Sequence, residues 1–202
     1  MIPMANKEID APIGFWGPPH RAATTIIFIC VTLGLMGYLL FLFDAFSGGY
    51  GPHVAFPPIR DHDSLRMTLS RAECLGPCPA YSIEIRGDGL VIYEGKWCVA
   101  ERGHHDGHIS ESRVDELFEK FREAEFLSLK DSYFAFVTDQ PTIEISLRYD
   151  GVSKTVTDYA GQRAGMPTAV TLLQNAIDET SGTEFWVWGG DRHCGGYGTP
   201  VN

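Results

Sequence analysis

From Ala22 to Phe43 the chain reads AATTIIFICVTLGLMGYLLFLF, an apolar run without a charge, bracketed by Arg21 and Asp44. As a helix it would be roughly 33 Å long at ~1.5 Å per residue, enough for a hydrocarbon layer of ~30 Å. It also lacks the polar face that a helix packed in a globular domain keeps. The pattern predicts one transmembrane helix over 22–43. The run is too long for the apolar part of a cleaved secretory signal, and its exit DAFSGGYG offers no small-x-small cleavage site.

Further on, the pattern becomes periodic. Tyr81, Ile83 and Ile85 alternate with Ser82, Glu84 and Arg86, and Asp88-Gly89 then supplies a two-residue turn before Leu90 and Ile92, which predicts a β-hairpin. Val114, Leu117, Phe118 and Phe121 follow helical spacing, in a segment that Ser112 can cap and that should end near Glu125. A second hairpin is predicted where Ile143, Ile145, Leu147 and Tyr149 lead through Asp150-Gly151 into Val152, Lys154 and Val156. Its expected register sets Ile145 opposite Val156, Tyr149 opposite Val152, Glu144 opposite Thr155 and Ser146 opposite Ser153. The last helix should begin with Pro167 in its first turn, bury Ala169, Leu173, Ala176 and Ile177, and stop before Gly182.

The expected fold class is therefore α+β: a single N-terminal transmembrane helix, then a two-layer domain in which an antiparallel sheet of two hairpins carries two helices on one face. The boundaries read from composition are a cytoplasmic leader over 1–21, the span over 22–43, and a linker over 44–68 that mixes Gly, Pro and His without a period. The folded domain follows over 69–188, then a Gly-rich tail over 189–202. Trp186 and Trp188 are expected to pack back on the domain.

Charge narrows the partners. With 16 Lys and Arg against 26 Asp and Glu, a formal charge of −10, the chain does not suit nucleic acid or anionic lipid as its main partner. Lys7 and Arg21 precede the apolar run and the next basic residue is Arg60, which predicts a cytoplasmic N-terminus and an outer C-terminal domain. Cysteine usage agrees with an oxidising space: Cys30 lies in the apolar run, while Cys74, Cys78, Cys98 and Cys194 lie beyond it. The turn-forming insert Leu75-Gly76-Pro77 favours a local Cys74–Cys78 bridge. In the hairpin register Cys98 would face Pro79 and Cys78 would face Val99, on opposite sides of the sheet, which leaves Cys98 for Cys194. The spacing C-L-G-P-C is one residue longer than a redox C-x-x-C, and Pro79 leads into a strand, so a structural bridge is expected.

Three further groups invite chemistry. His104, His105 and His108, with Asp106, are candidate ligands for zinc or copper if a flexible loop lets them converge; otherwise they form a solvated turn. Asp139, Asp158 and Tyr159 could serve as acid and base, but their positions beside a turn and a strand end suit structural roles. Cys30, Gly34 and Gly37, spaced four and three apart, could form a helix-packing face. The chain contains no Ser-His-Asp elbow, phosphate-binding Gly loop or H-E-x-x-H helix, and no resident cofactor is expected.

The run Cys74-Leu75-Gly76-Pro77-Cys78-Pro79-Ala80-Tyr81, followed by Asp88-Gly89-Leu90-Val91-Ile92-Tyr93-Glu94-Gly95, resembles a bacterial domain family of unknown function with the signature C-x-G-x-C-P-x-Y then DG-x-V-x-Y-x-G. Phe126-Leu127-Ser128-Leu129, Val137 to Thr142, Asp158-Tyr159-Ala160-Gly161 and Ile177-Asp178 extend the resemblance in the same order. It implies fold and compartment, and no activity. The expected function is that of a membrane-anchored, non-catalytic interaction module, the periplasmic domain of an accessory subunit that joins other integral membrane proteins at a bacterial inner membrane. The alternative is a metal-binding or thiol-active enzyme on the same anchor.

Overall fold

The computed structural model describes residues 20–189 and, within its first helix, the side chains of residues 26–39. It forms two compact units, Met1–Phe46 and Ser47–Asn202. In the first, helix α1 spans His20–Ser47, and Ile26, Phe28, Leu33 and Leu39 among its described side chains are apolar and exposed. Among the described residues no helix is long and apolar enough to cross a membrane. The transmembrane helix expected over 22–43 is thus not part of the observed fold.

The second unit is built on one sheet. Its strands are β1 (Arg66–Arg71), β2 (Ala80–Arg86), β3 (Leu90–Trp97), β4 (Gly103–His108), β5 (Ser132–Phe134), β6 (Thr142–Tyr149) and β7 (Val152–Tyr159), in the order β4-β3-β2-β1-β6-β7-β5. The expected antiparallel sheet of two hairpins is corrected here to a seven-stranded mixed sheet, because β5 pairs parallel with β7. Both hairpins are present, but β1 lies between them and pairs with β2 and β6. β1 offers only Met67 and Leu69 as alternating apolar residues, too few to stand out from the segment before it.

Turn chemistry sets the two hairpins differently. Asp150 and Gly151 both have positive φ (45° and 81°), the two-residue turn whose twist matches paired strands. In the β2–β3 loop only Gly89 is left-handed (φ 86°), and Gly87-Asp88-Gly89 make a three-residue connection in place of the expected two. The β6–β7 register has Ile145 opposite Val156 and Tyr149 opposite Val152; Glu144 faces Thr157 and Ser146 faces Thr155, each two residues from the expected partner. A bulge at Ala80/Tyr81 shifts the β2–β3 ladder at its far end.

Helix α2 (Glu111–Glu123) buries Val114, Leu117, Phe118 and Phe121, and α3 (Thr168–Ser181) buries Val170, Leu173, Ala176 and Ile177. Ser110, not Ser112, occupies the α2 N-cap, and Glu125 turns left-handed just beyond the helix. Gly182 (φ 69°) ends α3, as the αL cap of a helix requires. The two helices meet one side of the sheet in a single core containing Met67, Leu69, Ile83, Ile85, Tyr93, Ile145, Leu147 and Val156. A short helix, α4 (Glu184–Trp188), closes the edge near β4.

The segment expected as a linker is attached to this core from Tyr50 onward. Gly51 N donates to Ser128 O at 2.6 Å, Tyr149 OH donates to Pro57 O at 3.0 Å, and the Phe56 ring stands edge-on to Phe118 with centroids 5.4 Å apart. Isolated apolar residues here find tertiary partners that a search for periodicity does not detect.

Candidate functional site

On the helix-covered side, the polar residues lock elements together. Arg71 of β1 and Tyr81 of β2 are cross-strand partners, and both reach Asp178 of α3. Arg71 Nη2 donates to Asp178 Oδ2 at 2.7 Å and Tyr81 OH to Oδ1 at 2.8 Å, so each carboxylate oxygen accepts a bond. Burial raises the Tyr81 pKa, and Asp178 adds to the rise against the opposing influence of Arg71. For Arg71 burial acts to lower the pKa, but the phenol and carboxylate beside it prevail and the guanidinium is held above its ordinary value. This arrangement suits an α3-to-sheet clamp, since the phenol and the guanidinium are both held in their protonated forms. Neither periodicity nor composition singled out Arg71 or joined it to Tyr81 and Asp178.

Asp158 and Tyr159, for which structural roles are expected, each hydrogen-bond other parts of the fold. Asp158 is buried; its Oδ1 accepts Gly161 N at 2.7 Å and its Oδ2 accepts Gln174 Nε2 at 2.8 Å, joining β7, the following turn and α3. A Cβ at Gly161 would stand 2.8 Å from Asp158 Oδ1, Met166 Sδ and Tyr133 Cβ, which explains a glycine there. Tyr159 OH donates to Val137 O at 2.9 Å, and Asp139 has a left-handed backbone, φ 64°, in the loop before β6.

Cys74 and Cys78 form a disulfide with Cα atoms 5.6 Å apart. Cys98 is also disulfide-bonded, with its Sγ 3.2 Å from Pro77 O; its expected partner, Cys194, lies outside the described residues. Cys30 is a free, exposed cysteine, and built Cβ atoms at Gly34 and Gly37 meet nothing within 4 Å.

The His-rich segment is not a loop. It is strand β4, so successive side chains point to opposite faces and the three imidazoles cannot converge. His104 faces Glu94 on the open side, Nδ1 to Oε2 3.7 Å, and His108 pairs with Leu90 on that side. His105 turns inward and stacks on Trp186, centroids 5.4 Å apart at 26°. Among the described residues no group of three or more His, Cys, Asp or Glu side chains is placed to hold a metal ion.

The other side of the sheet is the one that α2 and α3 do not cover. Thr68, Ser70, Ser82, Glu84, Glu144 and Ser146 line its centre, all on strands whose alternate residues enter the core. At one corner, beside edge strand β5, this face becomes apolar. Phe134 stacks on its ladder partner Tyr159 with centroids 5.0 Å apart at 15°, and Phe136 meets Phe134 edge-on at 5.4 Å. Phe134 is 54% exposed and Phe136 98% exposed. The bonds Thr157 N→Asp131 O and Ala135 N→Tyr159 O turn the odd-numbered residues toward β7, which leaves the amide groups of Ser132 and Phe134 on the outer edge. The sequence spells this corner YFAF, but SLKDSYFAFVTDQP has no sustained period that would announce a strand.

No curated protein matches the chain. A family described as a domain of unknown function, DUF6438, matches residues 65–181, a stretch that begins just before β1 and ends with α3. With more than half of its length matched, the chain belongs to the DUF6438 family of domains of unknown function.

Proposed function

We propose that this protein is a non-catalytic interaction module, the periplasmic part of an accessory subunit that works with other membrane proteins at a bacterial inner membrane. The observation that carries this reading is the aromatic corner formed by Phe134, Phe136 and Tyr159. A solvent-facing Phe forgoes about 1.5–3 kcal/mol that burial would return, and aromatic anchors dominate the energetics of protein interfaces. The open edge of β5 beside it adds backbone donors and acceptors for an incoming segment. The Cys74–Cys78 bridge supports an oxidising compartment, and the apolar exposed side chains of α1 support a membrane setting. The Cys74–Tyr81 and Asp88–Gly95 runs are the proposed mark of the family.

Photo-crosslinking in intact membranes tests this reading. A photoreactive residue replacing Phe136 should give one discrete adduct with another protein, and the same residue replacing exposed Glu119 on α2 should not. Phe136→Asp should weaken copurification of that partner by tenfold or more. A chain that gives no adduct at 136, or the same adducts from both positions, overturns the proposal.

A further inference from the structure

The sheet register places three arginines side by side on the open face. Arg66 of β1 is the ladder partner of Arg86 on β2 and of Arg148 on β6, so the row Arg86–Arg66–Arg148 crosses three neighbouring strands. All three alternate with core residues, Met67, Ile85 and Leu147, which fixes them on the side away from the helices. With strands about 4.8 Å apart, the row spans roughly 10 Å. Like charges directly opposite each other destabilise a sheet. This chain, in which acidic residues outnumber basic ones 26 to 16, nevertheless aligns three of its basic residues.

One carboxylate serves the row. Glu84 Oε1 lies 2.7 Å from Arg86 Nε and 3.6 Å from Arg66 Nε, and Arg66 Nη1 also donates to the Asp63 and Leu65 carbonyls. Arg148 is exposed, and its side chain has no ion pair or hydrogen bond among the described residues. Of the carboxylates in the adjoining turns, Asp61 accepts from Asp63 N, Asp88 from Leu90 N, and Asp150 from Arg60 N and Ser64 Oγ. Next to Arg66 and Arg148 on the same face, Thr68 and Ser146 present hydroxyls that hydrogen-bond to each other. Within the row itself, three guanidinium groups against one carboxylate leave two positive charges, and beside them one hydroxyl of the Thr68–Ser146 pair, the acceptor in their mutual bond, keeps its O–H free to donate.

We infer that the row Arg86–Arg66–Arg148 is a binding site for a phosphoryl group carrying two negative charges, which has the charge and the acceptor oxygens that the row lacks. Planar guanidinium forks match phosphate oxygens pairwise, and a singly charged carboxylate would leave the row half neutralised. The phosphoryl group can belong to a soluble phosphorylated molecule or to a lipid headgroup.

The test uses the full chain in non-ionic detergent, titrated calorimetrically with inorganic pyrophosphate and, separately, with a short-chain phosphatidic acid and its phosphatidylcholine counterpart. Saturable one-to-one binding of pyrophosphate points to a soluble ligand; binding of phosphatidic acid without pyrophosphate points to a headgroup. In either case Arg148→Gln should weaken binding at least tenfold while leaving the melting temperature unchanged, because the Arg148 guanidinium holds no ion pair or hydrogen bond among the described residues. Glu84→Gln should tighten binding about threefold by removing the one competing carboxylate. Failure of both probes to bind, equal binding of phosphatidic acid and phosphatidylcholine, or equal affinity of wild type and Arg148→Gln overturns the inference.

Discussion

At the scale of single residues the fold depends on tyrosines that keep their protons. Burial raises Tyr81, Tyr133 and Tyr149 above the ordinary phenol value and, with Glu101 nearby, pushes Tyr93 up to about 12. An unfolded chain releases the same protons near pH ~10. Above that pH the unfolded state binds fewer protons than the native state, so stability is complete below about pH 10 and falls as pH rises toward the native values. Alkaline titration followed by tyrosinate absorbance should show one group of phenols ionising freely and another ionising only as circular dichroism is lost. All eight tyrosines titrating together with the fold intact would refute this. At the same clamp, Asp178→Asn removes the charge that Arg71 answers and should cost about 1–3 kcal/mol in chemical denaturation, whereas Tyr81→Phe, which deletes one neutral donor, should cost about 1 kcal/mol.

At the scale of elements, strand alternation assigns different roles to three histidines that look equivalent in the chain. His105 lies between strand and α4 against Trp186, and its Nε2 is buried without a hydrogen-bond partner. His104 and His108 are exposed on the other face. His105→Ala should therefore cost about 0.5–1.5 kcal/mol through the lost ring contact, and His104→Ala with His108→Ala less than about 0.5 kcal/mol. Urea denaturation of the variants distinguishes this pattern from a metal centre, in which all three substitutions would act alike and zinc would raise the wild-type midpoint. The turn after β7 is a similar case. Gly161→Ala drives a methyl against Asp158, Met166 and Tyr133, and should cost about 1–3 kcal/mol as an overpacked site.

At the scale of the molecule, the disulfide links compartment to stability. The bridge between Cys74 and Cys78 closes a short loop between the central strand β1 and β2, so it restrains the denatured chain more than it supports the core. Cys74→Ser with Cys78→Ser should lower stability by about 2 kcal/mol while leaving the sheet formed. Peptide mapping under non-reducing conditions should recover the Cys74–Cys78 pair from protein isolated from its native compartment; two free thiols there would remove the argument for an oxidising space. The sheet itself separates two kinds of surface, a helix-covered side whose polar groups are tied to one another and an open side whose arginine row and aromatic corner face solvent.

Local patterns sufficed for the elements that local physics stabilises. Alternation around the Asp-Gly turns placed β2, β3, β6 and β7, helical spacing placed α2 and α3, and the turn-forming insert between Cys74 and Cys78 placed their bridge. The family resemblance rested on the same short-range motifs. What the chain alone could not decide depends on partners distant in sequence. Strand β1 is ordered by ladders on both sides, β5 by parallel pairing with β7, and Phe56 by rings more than sixty residues away. The HHDGH run is polar on every position and so carries no period, yet pairing with β3 makes it a strand and disperses its imidazoles. The clamp of Arg71, Tyr81 and Asp178 and the row of Arg86, Arg66 and Arg148 exist only once register is set, because a ladder, not a sequence interval, brings their charges together.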